Sequence, residues 1–144
     1  TKAFGQLVTL YDIPEMVLTM FTGFKEHPWL ILLLIGVFYI IVGMWLESIP
    51  QIIIFTAVFL PLVTSLGIDP ILFGIFTVMT CEIGFLTPPI GVNLFVAARI
   101  SNVTIEDISV GVLPLLIPYL IMILFLVFIP DWVTFLPDLV YGER

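Results

Sequence analysis

Two stretches of this chain are longer and more apolar than a soluble core requires. Residues 29–46 (WLILLLIGVFYIIVGMWL) and 112–130 (VLPLLIPYLIMILFLVFIP) contain no Asp, Glu, Lys or Arg. At about 1.5 Å per residue, helices over them measure roughly 27–28 Å, close to the roughly 30 Å hydrocarbon core of a bilayer. Composition points the same way. The 144 residues are 61% hydrophobic and 10% charged, whereas soluble domains average roughly 25% charged. The chain therefore reads as an all-α, polytopic membrane protein.

Several function classes fall away at once. The net charge of −7 comes mostly from acids outside the apolar runs, and four basic residues are too few to hold nucleic acid or an anionic lipid surface. Cys81 is the one cysteine and His27 the one histidine, so neither a disulfide framework nor a thiolate metal cluster can form within the chain. An intramembrane enzyme would need a nucleophile–base pair or metal ligands. Cys81 reads as an inert buried thiol and His27, in the polar break KEHP (25–28), as a surface residue. No cofactor is expected. The opening TKAFGQLVTLYDIP has no initiator Met, basic n-region or cleavage site, and reads as the end of a helix in a longer protein.

Along the chain, Asp12, Pro14 and Glu15 mark a helix start. Ile13, Val17, Met20, Phe21 and Phe24 recur at helical spacing, which suits either a helix lying in the membrane interface or an amphipathic connector packed on protein. Residues 29–66 form two apolar arms around ESIP (47–50). Two spanning helices joined by a tight turn, or a re-entrant hairpin whose tip stops inside the membrane, both fit, and arm length alone favours the first. Gly36, Gly43 and Pro61 suit close helix packing or a kink. GIDP (67–70) is a turn with Gly67 as C-cap and Asp69-Pro70 opening the next helix. Thr104 caps a last helix from about 105 to 129, with Glu106 and Asp107 in its first turn and Pro114 and Pro118 as kinks. PDWVTFLPDLVYGER (130–144) leaves the membrane with Trp132 and Tyr141 at the interface.

The segment CEIGFLTPPIGVNLF (81–95) breaks its own apolar run. Pro89 forces Pro88 out of the helical region, so FLTPPIG (85–91) cannot be regular helix. Residues 70–84 and 92–100 would make helices of roughly 22 and 14 Å, and neither spans alone. Non-helical backbone at membrane depth persists only where it is buried in protein or lines a wet cavity. A broken helix has a negative end near Gly84 that attracts a cation and a positive end near Val92 that attracts an anion. Such helices mark binding sites in secondary transporters. Thr87 adds a hydroxyl and Asn93 an amide. Glu82 is the single acid of the run. A charge at the bilayer centre costs at least about 2.5–3.5 kcal/mol, so Glu82 is either functional, or bonded to backbone N–H groups freed by the break or to a partner subunit. Arg99 reads as a boundary residue that snorkels to the interface.

GIDPILFG (67–74) followed by EIGFLTPPIGVNLFV (82–96) resembles the large membrane subunit of the tripartite ATP-independent periplasmic (TRAP) transporters, the DctM-like permeases. Gly43, Pro61 and ISNVTIEDISVGVLP (100–114) extend the resemblance over nearly the whole chain, as the C-terminal half of that subunit. The resemblance implies one half of an inverted-repeat, ion-transporter-type fold with elevator motion. In it residues 1–28 are the end of a preceding helix plus an arm helix, and 29–66 a re-entrant hairpin with its tip at 47–50. Residues 67–101 are a discontinuous helix broken at 85–91, and 102–144 the final transmembrane helix and tail. It further implies Na+-coupled import of an organic acid, a C4-dicarboxylate or another carboxylate, delivered by a periplasmic binding protein. The partners implied are that protein, a small four-helix membrane subunit, the N-terminal half of the permease and the lipid bilayer, in a bacterial or archaeal inner membrane. Ser48, Thr87 and carbonyls around Gly84 and Pro88 would hold Na+; Gly91, Val92 and Asn93 would face the substrate carboxylate. Glu47 departs from the pattern, since an acid at the tip repels an anion unless it points toward an ion or away. The other reading of the chain is a truncated or non-transporting assembly subunit with no ion site of its own, because a single repeat cannot alternate access alone.

Overall fold

The computed structural model describes residues 10–20, 27–88 and 91–141. Within them the chain forms α1 (Ile13–Met20), α2 (Pro28–Gly43), α3 (Ser48–Ser65), α4 (Pro70–Phe85), α5 (Val92–Ser101), α6 (Ile105–Phe128) and α7 (Asp131–Tyr141), and no strand. α3 and α6 are each long and apolar enough to cross a bilayer, whereas α2, α4 and α5 are shorter apolar helices. At the helical rise α2 and α4 measure about 24 Å and α5 about 15 Å.

α2 and α3 run as an antiparallel pair that packs around α4, the central helix. Aromatic rings hold the two arms together. Phe38 of α2 meets Phe55 and Phe59 of α3 edge-on, with ring centroids 4.8 and 5.4 Å apart, and Tyr39 meets the same two rings at 6.2 and 6.0 Å. Such pairs add roughly 0.5–1.5 kcal/mol each beyond the area they bury. On the other side of α2, glycine lets α4 approach. A Cβ on Gly36 would lie 2.7 Å from the Phe76 ring. Ile31, Ile35, Leu62, Val63, Phe73 and Phe76 complete the buried core of these three helices. α6 lies across α4 and α5 and adds Ile123, Leu126 and Val127. Its outer face leaves Leu115, Ile117, Ile121, Met122 and Phe128 exposed, far more apolar surface than a soluble protein tolerates.

Local side-chain chemistry sets most of the helix ends. Gly67 has a φ of +77°, and around it Gly67 N–H donates to Thr64 and Ile68 N–H to Val63, at 3.0 Å each. That is the paired 5→2 and 6→1 closure of a Schellman motif. Asp69 caps α4 by accepting from the backbone N–H of Ile71 at 2.6 Å and of Leu72 at 3.4 Å. Thr104 caps α6, accepting from Asp107 N–H at 3.2 Å while its hydroxyl donates to the Asp107 carboxylate at 2.8 Å.

Three readings from the sequence change. The turn between the arms is residues 44–47, not 47–50: Ser48, Ile49 and Pro50 already form the first turn of α3, with Glu47 as its extended N-cap residue. Proline at the third helical position costs nothing there, because that N–H has no partner inside the helix. Asp12 is not in a capping conformation; its φ is +48° and its carbonyl takes Met16 N–H at 3.0 Å. α1 packs along α3, with Val17 against the core, so the packed connector describes it better than a helix lying free in the interface. Phe21, Phe24 and Lys25 lie outside the described residues. The segment after Pro130, to which the sequence reading assigned no element, is helical. α7 runs through Pro137 and exposes Trp132, Phe135, Leu139 and Val140.

Candidate functional site

α4 ends at Phe85, where Leu86 N–H still bonds back to Glu82 and Ile83 at 3.2 and 3.1 Å. Thr87 N–H reaches Gly84 O at 3.1 Å, and the Thr87 hydroxyl donates to Ile83 O at 2.6 Å. The chain then leaves the helix through exposed Pro88, while Pro89 and Ile90 lie outside the described residues. It re-enters at Gly91, which is buried with a φ of +46°. A Cβ on Gly91 would stand 3.1 Å from Thr87 O and 2.8 Å from Leu94. The end of one half and the start of the other therefore touch, and only glycine fits where they do. Gly91 offers α5 no side-chain cap, which leaves its first N–H groups to a ligand. Val92 and Asn93 on that first turn are exposed.

The hairpin turn comes to the same place. Gly43, the last residue of α2, crosses Gly84: a Cβ on Gly84 would be 2.7 Å from both Gly43 Cα and Ile40 O. A Cβ on Gly43 would meet Gly84 Cα at 3.1 Å and Cys81 O at 3.2 Å. Two helices thus bring their C-terminal, electronegative ends into van der Waals contact. Beside the crossing, the Ser48 hydroxyl donates to Glu82 Oε1 at 3.1 Å. Tyr119 of α6 lies within electrostatic reach of the same carboxylate. Gln51, fully buried one turn into α3, donates its amide N–H to Tyr39 O at 2.6 Å. This ties the start of α3 to α2 just behind the turn.

Of the residues singled out in the sequence, Ser48, Glu82 and Gly84 are brought together around the Gly43 crossing, and Thr87, Pro88, Gly91, Val92 and Asn93 line the interruption that follows. Two readings need correction. The Gly84 carbonyl is not unpaired, since Thr87 N–H takes one of its two acceptor positions. Among the described residues Glu82 bonds neither to freed backbone nor to a base; it accepts from Ser48. Glu47 is exposed and caps nothing with its side chain. Gln51 is the residue that sequence reasoning passed over. Its signal was a lone amide side chain four positions after a polar turn, inside an otherwise apolar helix. A cleft of about 760 Å³, lined by Trp29, Asp69, Phe128 and Asp131 among others, lies at the opposite end of the arms, away from these groups.

The arrangement has the chemistry of a paired ion site. Hydroxyl, carbonyl and carboxylate oxygens beside two helix C-termini suit a hard cation, and the α5 N-terminus suits an anion. With their protons donated elsewhere, Ser48 and Thr87 present lone pairs. Among the described residues no group of three or more His, Cys, Asp or Glu side chains could hold a transition metal.

Residues 1–132 match the model of the family described as the tripartite ATP-independent periplasmic transporter, DctM component. The chain is 39% identical over 127 residues to the isethionate TRAP transporter permease protein DctMQ of Oleidesulfovibrio alaskensis, covering 88% of the chain and 20% of the relative. It is 39% identical over 126 residues to the 2,3-diketo-L-gulonate TRAP transporter large permease protein YiaN of Escherichia coli, covering 87% and 29%. To the sialic acid TRAP transporter large permease protein SiaM of Vibrio cholerae it is 32% identical over 139 residues, covering 96% and 33%. The chain thus spans between a fifth and a third of these relatives' lengths. They are transporter permeases and membrane proteins, not enzymes. On this match, made over the same interrupted helix and hairpin turn that carry the polar groups, the chain belongs to the DctM family of TRAP transporter large permeases.

Proposed function

We propose that this chain is part of the inner-membrane, multi-pass permease of a secondary transporter that imports an organic acid coupled to Na+ influx. A periplasmic binding protein delivers the acid, and a small four-helix subunit completes the membrane part. The observation that carries this reading is the meeting of the α2 and α4 C-termini at Gly43 and Gly84, beside the Glu82–Ser48 pair. Two electronegative helix ends and a carboxylate in a medium without water create a potential that a monovalent cation neutralises. Ser48, Thr87 and the carbonyls around Gly84 and Pro88 are the oxygens that would hold Na+, with Glu82 as countercharge. Gly91, Val92 and Asn93 offer N–H groups to a carboxylate once the cation is in place. Cation binding then precedes or accompanies anion binding, which is the physical content of symport. In the elevator scheme the hairpin and the interrupted helix move as one body; the Gly43–Gly84 and Gln51–Tyr39 contacts support that. Relatives named for isethionate, sialic acid and 2,3-diketo-L-gulonate support an acidic substrate, of which C4-dicarboxylates are one class.

The test is uptake of the cognate acid by proteoliposomes containing the complete permease, its small subunit and its binding protein. We expect accumulation only with an inward Na+ gradient, and a loss of at least tenfold in Thr87→Ala. Uptake that ignores Na+, or a Thr87→Ala variant equal to the parent, would contradict the assignment.

A further inference from the structure

Among the described residues, four buried side-chain polar atoms have no hydrogen-bond partner in the protein: Tyr39 Oη, Gln51 Oε1, Thr56 Oγ1 and Thr77 Oγ1. They are not scattered. Tyr39 is on α2, Gln51 and Thr56 on α3 and Thr77 on α4, and these helices form the core junction behind the hairpin turn. Tyr39 and Gln51 are 0% exposed and Thr77 is 1% exposed.

Three of the four face one another. The Tyr39 hydroxyl lies close enough to the Thr56 and Thr77 hydroxyls to interact with them, yet no pair makes a hydrogen bond of normal geometry. The threonines also decline their usual partner. Thr64 and Thr80, in the same two helices, donate to the carbonyl four residues back, at 2.8 Å each, whereas Thr56 and Thr77 do not. Their hydroxyls are committed to the space around Tyr39 instead.

We propose that Tyr39, Thr56 and Thr77 together hold one ordered internal water, which pins α2, α3 and α4 to one another. The donor count distinguishes water from a cation. Three hydroxyls bring three protons, and none of the three makes a hydrogen bond to another protein group. A cation accepts nothing, whereas a water molecule can accept from two of the hydroxyls and donate to the third. None of the three residues is among those assigned to Na+ above.

Radiolytic hydroxyl-radical labelling of the complete permease assembly, read by mass spectrometry, tests this, because a buried ring is oxidised only by water beside it. Phe73 and Phe76, each 1% exposed and part of the hydrophobic core, are internal controls. Tyr39 oxidation should exceed theirs severalfold, fall to their level in the Thr56→Val/Thr77→Val double variant, and persist in Thr77→Ser, which keeps the hydroxyl. Replacing Na+ by choline should leave the Tyr39 signal unchanged. A Tyr39 signal as low as the controls, a signal unaltered in the double variant, or one that rises when Na+ is removed would each overturn the proposal. The last result would mean a cation occupies the trio.

Discussion

Single residues divide into those that let backbones touch and those that present oxygens. Gly84 is of the first kind as much as the second. Replacing it by Ala drives a Cβ into Gly43 and Ile40 at 2.7 Å, backbone atoms that cannot move aside, so Gly84→Ala should cost about 1–3 kcal/mol of stability and lower the melting temperature of the permease in detergent. Gly74→Ala meets nothing within 4 Å and should be neutral or slightly stabilising. Equal effects of the two would refute the crossing. The sequence marked the special letters, since Glu82, Gly84, Thr87 and Gly91 all stand out against an apolar run. It did not show what they face. That Ser48 lies against Glu82 depends on a fold-back of 34 positions, and no local pattern encodes such a pairing.

Helix ends were legible where one residue does the capping. Asp69, Thr104 and Gly67 each satisfy backbone groups two to three residues away, and that chemistry is written in adjacent letters. Asp69→Ala should therefore cost about 1 kcal/mol, while Asp69→Asn, which keeps an accepting oxygen, should cost almost nothing. Gly67→Ala, at a φ of +77°, should cost about 1–2 kcal/mol. Thermal unfolding of the three variants checks both. The turn of the hairpin was misjudged by one helical turn because Pro50 reads as a breaker, whereas a proline in the first turn of α3 removes no needed donor. The α7 segment was assigned no element from the sequence. Pro130 precedes the helix and Pro137 lies inside it, where a helix at a wet surface can leave one carbonyl to water.

At the level of the molecule, composition alone specified a membrane-embedded helical protein, because so little charge cannot clothe a soluble surface. The path of the hairpin was not legible: arms of roughly 24–27 Å fit a slightly short span as well as a re-entrant fold. Here α2 and α3 close around α4 and share its Gly43–Gly84 crossing, so the turn and the helix interruption form one polar centre. If that centre holds a cation, Na+ must stabilise the folded permease by mass action, by about 2.7 kcal/mol at a hundred times its dissociation constant. The direct measurement is the melting temperature of the complete permease in NaCl against choline chloride at equal ionic strength, for the parent, Thr87→Val and Thr87→Ser. The account predicts a rise specific to Na+ in the parent, its loss in the isosteric valine variant and its return with serine. No Na+-specific rise in the parent, or an undiminished rise in Thr87→Val, would contradict it.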